Sequence, residues 1–98
     1  MVIVGTIKFK PETAKDIGKR FIELPPVPGY MKLIGPFVKA KMEGTHGLEI
    51  FEVEESKLAL AMEYVSNRYI SFYGIPDFNF TAEIHYSAQE ALKMVGLA

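Results

Sequence analysis

The chain has no cysteine and no tryptophan. Without cysteine there is no disulfide framework, no thiolate metal site and no cysteine nucleophile. Neither sign of charge dominates, since 11 basic and 12 acidic residues leave a formal charge of -1 over 98 residues. Affinity for a phosphate backbone rests on a concentrated basic patch, so nucleic acid is not an expected partner. No apolar run approaches the roughly 20 residues that span a bilayer. The opening Met1-Val2-Ile3-Val4 also lacks the basic start of a secretory signal. These absences predict a cytoplasmic protein with no membrane partner. Repeats, linkers and low-complexity tracts are missing too, which predicts a single domain over residues 1–98. What the chain does have is apolar content: 49% hydrophobic and 12% aromatic residues can build a core without covalent staples.

The apolar residues are arranged in alternating and helical periods that take turns along the chain. Val2 to Phe9 alternates, with Ile3, Ile7 and Phe9 on one side and Val4, Thr6 and Lys8 on the other. Lys10-Pro11-Glu12-Thr13 then stops a strand and starts a helix, because proline suits the first helical turn and an acid suits its dipole. Ala14, Ile17, Gly18, Phe21 and Ile22 form its apolar stripe, and Leu24-Pro25-Pro26-Val27-Pro28-Gly29 breaks it. Tyr30 to Met42 reads as an edge strand with a kink or bulge at Gly35-Pro36, where proline has no ladder hydrogen bond to give. Gly44-Thr45-His46-Gly47 reads as a turn and Leu48 to Val53 as the third strand.

A second helix is predicted from about Lys57 to Tyr73, its buried stripe formed by Leu58, Met62, Val65, Tyr69 and Phe72. Phe78 to Tyr86 alternates as a fourth strand. Ser87 with Glu90 three residues later opens a short helix whose packing face would be Ala91, Leu92 and Val95. Strand, helix, strand, strand, helix, strand is the order of a ferredoxin-like α+β sandwich, in which two helices cover one face of an antiparallel sheet.

The face turned away from the helices is where function is expected. A hairpin around Gly44–Gly47 would oppose Glu43 with Leu48, Lys41 with Ile50 and Lys39 with Glu52. Val38, Ala40, Met42, Phe51 and Val53 then lie under the helices. The open face collects Val4, Thr6, Lys8, Lys39, Lys41, Leu48, Ile50, Glu52, Thr81, Glu83 and His85. Such a face either meets water or, being too aliphatic for that, stacks on a second copy as a homodimer that encloses a cavity.

Glu83 and His85 point the same way from strand four, and a carboxylate beside an imidazole can tune a general base. They are the candidate catalytic pair, with Glu83 orienting His85; with Glu52 they could also form a nonspecific divalent-metal set. Thr6, Lys39 and Glu52 are the candidate ligand contacts on the same face; Lys39 and Lys41 could hold an anionic substrate, and a cross-strand ladder of Lys and Glu explains them equally. Tyr69 joins them from the run Tyr64, Tyr69, Phe72, Tyr73, Phe78 and Phe80, whose spacing fits core packing but whose hydroxyls can reach a ligand. His46, between glycines, is expected to be exposed and inert. No motif calls for a cofactor or a resident metal. Strand three, Leu48-Glu49-Ile50-Phe51-Glu52-Val53, lacks the glycine-aromatic signature with which RNA-recognition modules of this order stack bases. A glycine-rich phosphate loop followed by arginine, the mark of acylphosphatases, is also missing.

Gly47-Leu48-Glu49-Ile50-Phe51-Glu52-Val53-Glu54-Glu55, followed by the second helix and a tyrosine- and proline-containing approach to strand four, resembles the dimeric α+β barrel superfamily. Within it the likeness is to a family of small proteins of about this length. The superfamily includes cofactor-independent monooxygenases, muconolactone isomerases, dye-decolourising haem enzymes and effector-binding domains of transcription regulators. The resemblance implies a homodimer with a pocket between sheet and helices, while fold alone leaves the chemistry open. Three expectations follow: a binder of a small, partly apolar molecule; a monooxygenase- or isomerase-like enzyme with His85 as base; and a structural or regulatory dimerisation module. The monooxygenases use Asn, Trp and His in that pocket, and this chain has no tryptophan.

Overall fold

A computed structural model describes residues 1–97. The chain runs β1 (Val2–Phe9), α1 (Ala14–Ile22), β2 (Met31–Lys41), β3 (Gly44–Val53), α2 (Leu58–Ile70), β4 (Asn79–His85) and α3 (Ala88–Met94), with single 3-10 turns at Pro11–Thr13 and Glu55–Lys57 leading into α1 and α2. The four strands form one antiparallel sheet in the order β2-β3-β1-β4. It is an α+β fold, with the helical layer on one face and the other face open.

The helix-covered face follows from the period-two alternation. Ile3 pairs with both Phe51 and Ile84, which puts the three on one side. Ile3 and Phe51 are fully buried there against Ala61, Val65 and Tyr69 of α2, with Leu33, Val53, Phe80 and Ala82 around them. Ile17 of α1 packs with Phe72 and Ile75 just beyond α2, beside Phe9, Leu24 and Phe78. The aromatic run is packing, as its spacing predicts: the Phe72 and Phe78 rings stack 5.0 Å apart and Tyr69 lies 5.3 Å from Phe80. Arg20 ties the two helices together by donating to the carbonyls of Ser71 (2.9 Å) and Tyr73 (2.8 Å). Those carbonyls lie in the turn that follows α2, where no further helical turn can bond them.

Several expectations change. The β2–β3 turn is Met42-Glu43, and Gly44–Gly47 belong to β3. Lys41 therefore faces Gly44 and Lys39 faces His46, while Glu52 faces Lys32, so the expected Lys39–Glu52 pair does not exist. The glycines mislead because they serve close approach and not the turn. A Cβ on Gly44 would lie 2.1 Å from the Phe9 carbonyl oxygen, and one on Gly47 would lie 2.7 Å from Ile7. The partner of Lys39 moves by six residues, an even number, so each side chain keeps its face.

The bulge is at Gly35-Pro36, as expected: those two residues stand against Glu49 alone, between the Ile34–Ile50 and Phe37–Leu48 pairs. One extra residue reverses the parity of the strand beyond it. Phe37 is thereby placed on the open face. Val38, Ala40 and Met42 were expected under the helices, yet they are exposed, Met42 almost completely. From Gly35 to Lys41 every β2 residue is exposed, because no helix reaches over this half of the hairpin. Ile22, the α3 residues Ala91 and Leu92, and Val95 just past α3 are exposed as well. The capping box of α3 is formed, with Ser87 accepting from the Glu90 amide at 3.1 Å, but the helix buries none of its residues.

Candidate functional site

Register on both sides of the central strands lines the open face up in rows. At one end Lys32, Glu52, Val2 and His85 stand side by side, and behind them come Ile34, Ile50, Val4 and Glu83. The third row is Phe37, Leu48, Thr6 and Thr81, and the fourth is Lys39, His46, Lys8 and Asn79. Neighbouring rows are two residues, about 7 Å, apart. The face is therefore charged at one end, apolar across the middle and basic at the other end. Phe37, on the edge strand β2, is 57% exposed and Leu48, on the inner strand β3, 38%, although both are apolar.

Between the third and fourth rows is a depression of about 560 Å³ lined by Thr6, Ile7, Lys8, Phe37, Val38, Lys39, His46, Gly47 and Leu48. Six of these belong to the two rows. The other three lie between the rows and point through the sheet, so they supply backbone as its floor. The volume is within the range of small-molecule sites. Its walls differ sharply: Phe37 and Leu48 on one side, Lys8, Lys39 and His46 on the other.

Charge at the basic end is only partly balanced. Glu43, from the turn, sits 3.4 Å from Lys41 and 3.8 Å from His46. Lys8 and Lys39 form no ion pair among the described residues. Partial burial and then the positive charges of Lys41 and Lys8 hold the His46 imidazole below its ordinary pKa, against the opposing pull of Glu43. His46 stands half-buried between Lys8 and Lys39 in the ladder, and not in the turn where its glycine neighbours suggest it. The Thr6 and Thr81 hydroxyls bond to one another across β1 and β4.

The expected site residues divide between different places. Thr6 and Lys39 line the depression. Glu52, Glu83 and His85 lie on the same face toward its other end, and Glu52 stands six residues along β3 from His46, about 20 Å away. The His85 ring is 3.3 Å from the backbone carbonyl of Glu83, and the two side chains form no ion pair among the described residues. Nor do any three His, Asp or Glu side chains converge there as a metal-ligand set among the described residues. Tyr69 stands apart from all of these. It lies beneath the sheet, 1% exposed, and donates from its hydroxyl to Glu49 at 2.9 Å.

Glu49 and Arg68 went unread in the sequence. Arg68 holds the Glu49 carboxylate with two hydrogen bonds, Nη2 at 2.7 Å and Nε at 3.2 Å, and its guanidinium lies over the Phe51 and Phe21 rings. Both side chains are at most 5% exposed. Burial raises the Tyr69 pKa, and the neighbouring Glu49 charge raises it further, so the phenol stays protonated and donating. Space for this cluster comes from glycine: Gly5 faces Glu49 from β1, and a Cβ there would sit 1.8 Å from the Tyr69 hydroxyl oxygen. The signal was present, because Glu49 shares the parity of Phe51 and Arg68 is three residues beyond Val65. Opposite charges at two core-facing positions are a buried ion pair in the sequence. Phe37 shares the parity of Lys39, and that alternation alone would have put it on this face.

No protein-family model, curated protein or solved structure matches the chain. No helix among the described residues is long and apolar enough to cross a membrane.

Proposed function

We propose that this chain is the protomer of a homodimer in which two open sheet faces stack as in a dimeric α+β barrel, and that the depression between rows three and four binds a small, partly apolar molecule. The strand order β2-β3-β1-β4, with the helical layer on one face, supports the ferredoxin-like reading on which this rests. The observation that carries the proposal is the central apolar block of Val4, Ile34, Phe37, Leu48 and Ile50. Phe37 and Leu48 are exposed and Val4, Ile34 and Ile50 half-buried on this face, while on the other face the helices bury Ile3 and Phe51. An apolar patch of this extent marks an interaction surface. His85 stands outside the depression, which favours binding over base catalysis at that residue.

Light scattering on a size-exclusion column tests the dimer. A particle of two chains is expected at micromolar concentration, and Phe37→Glu should reduce it to one chain with an unchanged far-UV spectrum. A wild-type particle of one chain under these conditions would overturn the proposal.

A further inference from the structure

The reading of the depression as a small-molecule site leaves the chemistry of its occupant open, and the two walls narrow it. Lys8 and Lys39 face one another across His46 in a single row, with no carboxylate between them. The acids of this face, Glu52 and Glu83, belong to the two rows nearest the opposite end. Glu43 approaches from the turn and is engaged by Lys41 and His46. Two ammonium groups on either side of the His46 ring therefore edge a cavity whose other wall is Phe37 and Leu48. One of the Thr6 and Thr81 hydroxyls donates to the other, so a single hydroxyl hydrogen of the pair stays available beside the two lysines.

We infer that the site takes organic anions: an apolar body lies over Phe37 and Leu48, and one acidic group sits on Lys8 and Lys39. The row spacing of about 7 Å separates the two parts of such a ligand. The ammonium groups recognise the acid as point charges. A bare inorganic anion offers nothing to the apolar wall, and an apolar cation meets two lysines.

The inference rests on the proposed small-molecule site, and three probes of one chain length separate the two claims: octanoate, octan-1-ol and octylammonium. Each is titrated into the ¹⁵N-labelled protein. Octanoate should move the amides of Lys8, Lys39, His46 and Leu48 saturably. Octan-1-ol should bind at the same amides about tenfold more weakly, and octylammonium more weakly still. Lys8→Met with Lys39→Met should lower octanoate affinity by about tenfold while octan-1-ol is unaffected. Lys32→Met, at the far end of the same face, should change neither. Equal binding of octanoate and octan-1-ol, or an undiminished octanoate affinity in the double variant, would overturn the anion preference and leave the pocket standing. If none of the three probes saturates these amides, the pocket falls and the anion preference falls with it.

Discussion

Glu49 and Lys39 belong to neighbouring strands of one sheet, but they point to opposite faces and meet opposite treatment. Beneath the sheet, Glu49 is out of water and both its oxygens are taken, by Arg68 and by the Tyr69 hydroxyl. Above it, Lys39 is exposed and forms no ion pair among the described residues. The difference is one of solvent. A buried carboxylate without partners has no water to replace them, whereas an ammonium on an open face keeps its hydration until something displaces it. Charge on the covered face is thus committed to structure, and charge on the open face is free for a ligand or a second chain.

Removing one partner under the sheet should have the largest effect. Glu49→Ala leaves Arg68 and the Tyr69 hydroxyl buried and unpartnered, and should cost about 3–5 kcal/mol in urea unfolding. Replacing both charges, as Glu49→Met with Arg68→Met, should restore most of that loss, since a well-packed apolar pair can substitute for a buried ion pair. A double variant as unstable as the single one would show that the cost lies in packing and not in the stranded charge.

Gly5→Ala attacks the same cluster by volume. The new methyl meets the Tyr69 ring, and a loss of about 1–3 kcal/mol is expected from forcing the ring aside. Adding Tyr69→Phe should recover part of that loss, because the closest contact is to the hydroxyl oxygen.

Across the sheet, Lys39→Ala should leave unfolding within about 0.5 kcal/mol of wild type, as expected for a surface change away from caps and core. A loss comparable to that of Glu49→Ala would erase the contrast between the faces. The smallest effect is electrostatic. His46 is held below its ordinary pKa, so the folded state binds its proton less readily than the unfolded chain does. The stability associated with this group is therefore present above about pH 6.5 and declines as pH falls from there through the folded value. Lys41→Met removes one of the charges responsible and should move the His46 midpoint upward in an NMR titration. A downward move would contradict the placement of Lys41 beside the ring.

Much of this was legible along the chain. Alternation in Val2–Phe9 and in strand four, the helical stripe through Val65 and Tyr69, and the break at Pro25-Pro26 are local signals, and these elements stand where they predict. Face membership was legible for the same reason: the side chains of a strand alternate whatever the strand pairs with, so Thr6, Lys8, Lys39 and Leu48 share the open face although the expected hairpin register was six residues out.

What a residue stands beside depends on the tertiary structure. The ladder places Lys39 against His46 and Lys32 against Glu52, and glycines spent on the approach of Phe9 and Ile7 were unavailable for the turn they seemed to mark. The bulge sets Phe37 on the same face as Ile34, and the reach of the helices leaves Val38 and Met42 uncovered while Glu49 is sealed in. Periodicity is a property of a few consecutive residues, and so the amino-acid sequence by itself determined the elements and their two faces. Register and coverage are set by contacts between segments far apart in the chain, and so only the assembled sheet decided which charges are buried as a pair and which are gathered at the mouth of a cavity.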